Sequence, residues 1–287
     1  MSNLEISRAQ RLDQKVVELM PELSRAFAGK LIDQGKVMVN GATASKAGQK
    51  IKLDDKVTID YDEKGLAEIP NIKLPILYED DDCMVIDKPV GVLTHSKGAF
   101  NPEATIATFL RQHVKAMTGE RAGIVHRLDR ATSGVMICAK NQAALAWLQK
   151  QFSQRKVKKH YVAIVNGQLP HDHAIIEMPI ERNPKKPQTF RVGVNGKSAM
   201  TEYRVLKTTT NLTELELSPQ TGRTHQLRVH LHHLGHPILG DELYGGKPAE
   251  RLFLHALSLE ITLPNRERKI FVAELPKAFE AIMKHDD

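Results

Sequence analysis

Two cysteines in 287 residues are too few for a disulfide framework. Cys83 and Cys138 each sit inside an apolar, strand-like run, so they read as buried free thiols of a reducing compartment. No apolar run approaches the ~20 residues that span a bilayer. The opening Met1-Ser2-Asn3-Leu4-Glu5 carries no charged-then-apolar leader. The expectation is a cytoplasmic protein with no membrane partner. Gly-rich phosphate loops, a Gly-x-Ser-x-Gly elbow and paired-cysteine zinc motifs are all missing. So is the carboxylate pair with which a glycoside hydrolase activates water. His225, His230, His232, His233 and His236 crowd one stretch, but no His-x-x-x-His face comes with a carboxylate base or cysteine ligands. No metal is expected there.

What is present is positive charge in blocks. Lysine and arginine number 41 against 34 acidic residues, a net +7, which admits a polyanionic partner without proving one. Lys150, Arg155, Lys156, Lys158, Lys159 and His160 form one cluster, and Arg182, Lys185, Lys186 and Arg191 a second. Between the acidic run at 79–82 and the first of these lies Gly123-Ile124-Val125-His126-Arg127-Leu128-Asp129-Arg130-Ala131-Thr132-Ser133-Gly134, followed by the β-branched run to Ala139. It reads as strand, turn and buried strand, with Asp129 held between Arg127 and Arg130. Guanidinium neighbours keep a carboxylate ionised, so Asp129 suits a base or nucleophile better than an acid. A plain turn residue flanked by surface charge is the alternative.

Leu12, Val16 and Leu19 have helical spacing, and Pro21 breaks the run. Ser24 is placed to cap a second helix with Phe27 and Leu31 inward and Gly35 as its stop. Val37-Met38-Val39 then meets the hairpin turn Asn40-Gly41, and Val57 and Ile59 share one face of a later strand. The residues Arg11-Leu12-Asp13, Pro21, Ser24-Arg25, Ile32, Gly35, Val37, Val39-Asn40-Gly41 and Lys52-Leu53 through Val57 make this stretch resemble the S4 RNA-binding domain. The resemblance implies that paired helices present basic residues to structured RNA, here Arg11, Arg25, Lys30 and Lys36. A small protein-binding module is the other reading.

Residues 63–74 read as a linker. Beyond it, Leu77 to Asp80 and Cys83 to Lys88 are strand-like, Thr105 to Met117 and the run capped by Asn141 are helical, and strands follow at 159–165, 189–194, 199–206 and 212–217. Strands and hairpin turns without regular strand–helix alternation point to an α+β domain on a mixed or antiparallel sheet with flanking helices. The expected division is 1–62, a linker at 63–74, and 75–287.

Thr221-Gly222-Arg223-Thr224-His225-Gln226-Leu227-Arg228 starts a helix whose apolar face is Leu227, Leu231 and Leu234, and Arg223 sits where its guanidinium can reach a carboxylate. With His126-Arg127-Leu128-Asp129, Thr132-Ser133-Gly134, Lys159-His160-Tyr161-Val162-Ala163, Gly235-His236-Pro237-Ile238, Gly240-Asp241 and Tyr244-Gly245, these motifs fall in the order of the RluA-type pseudouridine synthases, which the chain resembles from about Leu77 onward. The resemblance implies conversion of uridine to pseudouridine in RNA, with no cofactor. By the same resemblance Asp129 is the catalytic aspartate, Arg223 pairs with it, Tyr161 stacks on the target base and assists the final proton removal, Arg127 enters the RNA helix as the base leaves, and Leu227 lines the pocket. Large-subunit ribosomal RNA is the expected substrate of a monomeric enzyme. Transfer RNA, or a catalytically silent RNA-binding and ribosome-assembly role, are the alternatives.

Overall fold

The computed structural model describes residues 9–21, 23, 25–61, 71–95, 103–114, 116–117 and 121–286. These fall into two compact units, one within Met1–Asn71 and His95–Ala104, the other within Ile72–Thr94 and Thr105–Asp287. The Ser24 cap and most of the expected linker lie outside the described residues.

In the smaller unit β1 (Gln10–Arg11) leads into α1 (Leu12–Leu19), and α2 (Arg25–Asp33) stops at Gly35. Strands β2 (Val37–Val39), β3 (Ala42–Thr43) and β5 (Val57–Ile59) make a small sheet with β2 central, while β4 (Lys50–Ile51) pairs with β1. Asn40 and Gly41 both take positive φ, 52° and 82°, as the turn joining β2 to β3 requires. Leu12, Val16, Ala28, Leu31, Ile32 and Val37 close the core. The fold also buries one acid. Asp13, 5% exposed, accepts both arms of Arg11 at 3.0 Å and a third bond from Arg25 at 2.9 Å. The Arg11 guanidinium beside it, with Arg25, holds its carboxyl down at about 2. Because the unfolded value lies near 4, this stabilisation is present above pH ~4 and is lost as pH falls through about 2. Asp13→Asn is expected to cost the unit roughly 2 kcal/mol at neutral pH, measured by amide exchange along α1. Unchanged protection would contradict a structural role for the triad.

The larger unit is built on one mixed sheet. Its strands are β6 (Ile76–Glu79), β7 (Cys83–Lys88), β8 (Ser133–Ala139), β9 (Lys158–Asn166), β10 (His173–Glu177), β13 (Met200–Thr208), β14 (Leu212–Pro219), β15 (Leu254–Thr262) and β16 (Arg268–Val272). They run in the order β10-β13-β14-β9-β15-β8-β7-β6, with β16 also on β15. Every pairing is antiparallel except β15 with β8. A separate hairpin, β11 (Ile180–Arg182) and β12 (Phe190–Val192), stands apart from it. Helices α3 (Ile106–His113), α4 (Gln142–Ser153), α5 (Gln226–His233) and α6 (Lys277–His285) complete the unit.

Local chemistry accounts for the elements that matter to the site. All seven residues of β8 are buried, and its apolar run from Val135 to Ala139 suits a strand with neighbours on both sides. Gly134 lets β8 pass so close to β15 that a Cβ there would lie 2.2 Å from the Ala256 carbonyl. Asn141 caps α4 by accepting from Ala144 N–H, and Thr105 and Thr108 form a reciprocal box at the start of α3. The strand expected at Ile124–Val125 is a single bridge, Ile124 to Cys138, and residues 125–132 form a loop. Cys83 stands opposite Ala139 and Cys138 opposite Met84, so the two thiols project to opposite faces of the sheet. Both are buried and free, and burial pushes the Cys138 thiol up to about 12. No helix among the described residues is long and apolar enough to cross a membrane.

Candidate active site

The loop carrying Asp129 is pinned on both flanks. Thr94 Oγ1 donates to the Leu128 carbonyl at 2.7 Å and accepts from Leu128 N–H at 3.2 Å. The Arg130 carbonyl accepts from Gly91 N–H at 2.9 Å and from Lys88 Nζ at 3.2 Å. Lys88 is wholly enclosed, and burial lowers its ammonium to about 8. Upstream, His126 Nε2 accepts from Ile137 N–H at 3.1 Å and its ring stacks on Phe152, centroids 4.6 Å apart. Burial drives this imidazole down to about 3, so it remains the neutral acceptor the bond requires.

Opposite the loop lies the N-terminal half of α5. Gln226, 4% exposed, uses all its bonding capacity: Oε1 accepts from Thr221 Oγ1 and Arg223 N–H, and Nε2 donates to the Met200 carbonyl and Thr201 Oγ1. His230, fully buried one turn on, bridges Thr201 Oγ1 and the Met178 carbonyl at 3.0 Å each. These bonds tie α5 to β13. They leave Arg228 facing Asp241, whose carboxylate it meets with two arms at 2.7 and 2.8 Å. Arg228 Nη1 then lies 3.5 Å from Asp129 Oδ2, and its guanidinium sits 4.9 Å over the Tyr244 ring. His225, immediately before α5, holds φ +56°, a left-handed conformation that costs a non-glycine residue ~1–2 kcal/mol. Its Nε2 is 3.8 Å from the same Asp129 oxygen.

Asp129, His225, Gln226 and Arg228 line a cavity of about 120 Å³, together with Arg127, Lys159, Tyr161, Arg223, Leu227 and Leu254. Asp129 is the one carboxylate on that wall. A larger cavity of about 520 Å³ continues from it past Arg127, Lys159 and Tyr161 to Phe152 and Arg155, with no carboxylate in its lining. Burial, reinforced by Asp129, pushes the Tyr161 phenol upward, so its hydroxyl keeps its proton. Lys159, which donates at 3.4 Å to the Thr221 carbonyl, is lowered by burial to about 8.

The structure thus gathers Asp129, Tyr161, Arg127, Leu227 and Arg223 around one cavity. The expected pairing within it is corrected. Arg223 Nε donates to the Ser198 carbonyl at 3.0 Å, and the cation that meets Asp129 is Arg228, not Arg223 or the sequence neighbour Arg127. The reason is the helix: Arg223 precedes α5 and turns outward, while Arg228 lies within its buried first turns. Three of the five histidines are hydrogen-bonded within the fold, while His232 and His233 are exposed. His225 meets Tyr244, His230 bridges Thr201 of β13 and the Met178 carbonyl, and His236 contacts the Asn166 carbonyl. In the smaller unit Arg11 and Arg25 are committed to Asp13, although both keep about half their side chains exposed, and Lys30 and Lys36 face solvent.

A model of the RNA pseudouridylate synthase family matches residues 82–233, the span that carries both walls of this cavity. The chain belongs to the RNA pseudouridylate synthases. An S4 domain model matches residues 10–57, so the synthase carries an S4 domain at its N-terminal end. An Aquifex aeolicus protein described as an uncharacterised RNA pseudouridine synthase is 37% identical, over 95% of this chain and 92% of its own. Ribosomal large subunit pseudouridine synthase D of Borreliella burgdorferi is 40% identical, over 82% of this chain and 76% of its own. Among solved structures, human RNA pseudouridylate synthase domain containing 1 aligns with a TM-score of 0.60 at 30% identity, covering 71% of this chain and 85% of that one.

Proposed function

We propose that this synthase isomerises uridine in large-subunit ribosomal RNA, with Asp129 as its catalytic carboxylate. The observation that carries the catalytic assignment is that Asp129 is the single carboxylate lining a cavity of cations and aromatic surface. Isomerisation breaks the N1–C1′ bond, joins C5 to C1′, places a proton on N1 and releases the C5 hydrogen to solvent. All bonds made and broken belong to the nucleotide and solvent protons, so the reading asks for no cofactor. The carboxylate acts as nucleophile or base at the sugar or base, with Arg228 fixing its orientation. Tyr161 supplies a face on which uracil stacks, and Leu227 and Leu254 add apolar wall beside it. Uracil must leave the RNA stack to arrive there, at a cost of a few kcal/mol. Arg127, exposed at the mouth, is placed to occupy the gap. The carboxylate-free second cavity is suited to the flanking phosphates, which its cations hold.

Residues 1–62 act on this reading as a separate RNA grip, joined by a linker at 63–74 to the catalytic domain at 75–287. Lys30 and Lys36 supply its free charge, and Arg11 and Arg25 add theirs from the Asp13 cluster. The substrate assignment rests on the relatives described as large-subunit enzymes. The protein acts as a cytoplasmic monomer, a compartment consistent with its two buried thiols.

Tritium release from RNA labelled at C5 of uridine tests the substrate class. Release from large-subunit ribosomal RNA well above that from bulk transfer RNA is the expected outcome, and the reverse order would reassign the substrate. The second cavity has its own test. Lys159 loses its charge as pH rises through about 8, so RNA affinity is expected to weaken across that range. Lys159→Arg, charged throughout, is expected to flatten that slope. Lys88 titrates in the same range but is untouched by the change, so a slope that persists in the variant would remove Lys159 from RNA binding.

A further inference from the structure

The Tyr244 hydroxyl holds two partners. It accepts from Phe190 N–H at 2.9 Å and stands 2.8 Å from His225 Nδ1. Tyr244 is 5% exposed, and among the described residues its own proton has one acceptor within reach, which is Nδ1. If Nδ1 carried a hydrogen, the phenol proton would be buried without a partner, which folded proteins avoid. Nδ1 is therefore bare, and the ring hydrogen sits on Nε2. Nε2 is the atom that faces Asp129 Oδ2 at 3.8 Å.

Three further features fix the plane of that ring. Tyr244 and Phe190 meet it edge-on, at 5.6 Å and 89° and at 5.7 Å and 76°. The backbone of His225 is held in the left-handed region, an unfavourable conformation of the kind that collects at working sites. Burial lowers the imidazole's affinity for a second proton, with Arg228 and Arg127 adding to this while Asp129 and Asp241 oppose it. Arg228 also makes its nearest approach to Asp129 at Oδ2, so His225 and Arg228 converge on the same oxygen.

We infer that Tyr244 locks His225 in its Nε2–H form, and that the locked ring is a positioning residue that, with Arg228, orients Asp129 from the side of Oδ2. The inference rests on Asp129 being the reacting carboxylate. A neutral donor suits the task, because an imidazolium could surrender its proton to the carboxylate and remove the reacting group. The hydroxyl of Tyr244 thus acts at one remove from Asp129, through the tautomer it selects.

Nitrogen NMR of the full-length protein with labelled histidine reads the tautomer directly, the His225 signals being identified by their loss in His225→Gln. A protonated Nε2 with a bare, pyridine-type Nδ1 near neutral pH is expected. An Nδ1–H ring or an imidazolium would overturn the inference. Tyr244→Phe keeps the ring and its packing but removes the hydroxyl. It is expected to mix the two tautomers and lower kcat about tenfold with KM unchanged, the scale on which orienting partners act. His225→Gln, whose amide nitrogen reaches the position of Nε2, is expected to retain most of kcat, while His225→Leu loses about a hundredfold. Equal loss in the Gln and Leu variants, or a Tyr244→Phe enzyme with unaltered tautomer and kcat, would reduce the pair to packing. If Asp129→Asn keeps turnover, the catalytic reading fails instead, and the tautomer result stands or falls separately.

Discussion

Asp129→Asn is expected to lower turnover by about four orders of magnitude or more, the scale seen when a reacting group is removed from an otherwise intact site, while RNA affinity stays near that of the wild type. The two effects separate because the groups suited to gripping RNA are not the group suited to the chemistry. Arg127, Arg155, Lys159 and Arg223 line the wider cavity, and none forms an ion pair with Asp129. The amide is close in size to the carboxyl and keeps an oxygen toward Arg228 and His225, so the cavity keeps its shape. It can neither attack nor take a proton. Single-turnover rates beside equilibrium binding check this, and an equal loss of binding would make Asp129 a structural residue.

The second large effect belongs to a residue that touches no substrate. Asp241→Ala is expected to cost about 3–5 kcal/mol of stability, because Arg228 would be left buried without its two-armed partner. Asp241 is 2% exposed and Arg228 7%, so water cannot take over the lost bonds. Turnover is expected to fall as well, since that pairing and the Tyr244 ring beneath it help hold Arg228 beside Asp129. Asp241→Asn keeps the shape and one good acceptor and is expected to fall between the two. Denaturant unfolding and kcat measured on the same preparations check both halves. Stability unchanged in the Ala variant would mean that Arg228 finds another anion.

How far the sequence could be read follows from the kind of signal each part carries. Helix α4 was plain because Asn141 caps it and Leu145, Leu148 and Phe152 recur at helical spacing. The Asn40-Gly41 turn was equally plain, since few dipeptides accept two successive positive φ values. Asp129 could be singled out because its neighbours are charged while the following strand is wholly apolar. The choice between Arg223 and Arg228 could not be made from spacing. From Gln226 to Leu231 every residue of α5 is buried, so the helix has no polar face against which a buried arginine would look out of place. One clue did exist: a charge inside so enclosed a stretch needs a partner, and Gly240-Asp241 follows shortly after it. Tyr244 and His225 lay further from reach. Their link depends on a left-handed residue before α5 and on the hairpin β11–β12 bringing Phe190 N–H to the phenol. Neither feature leaves a periodicity.

The central claim is that this cavity turns uridine into pseudouridine through Asp129. The most direct measurement follows the C5 hydrogen in a single turnover, with enzyme in excess over C5-tritiated large-subunit ribosomal RNA. Wild-type enzyme is expected to release tritium to water, because C5 must lose its hydrogen when it bonds to C1′, and Asp129→Asn is expected to release none while still binding the RNA. Release by both proteins, or by neither despite tight binding, would contradict the account.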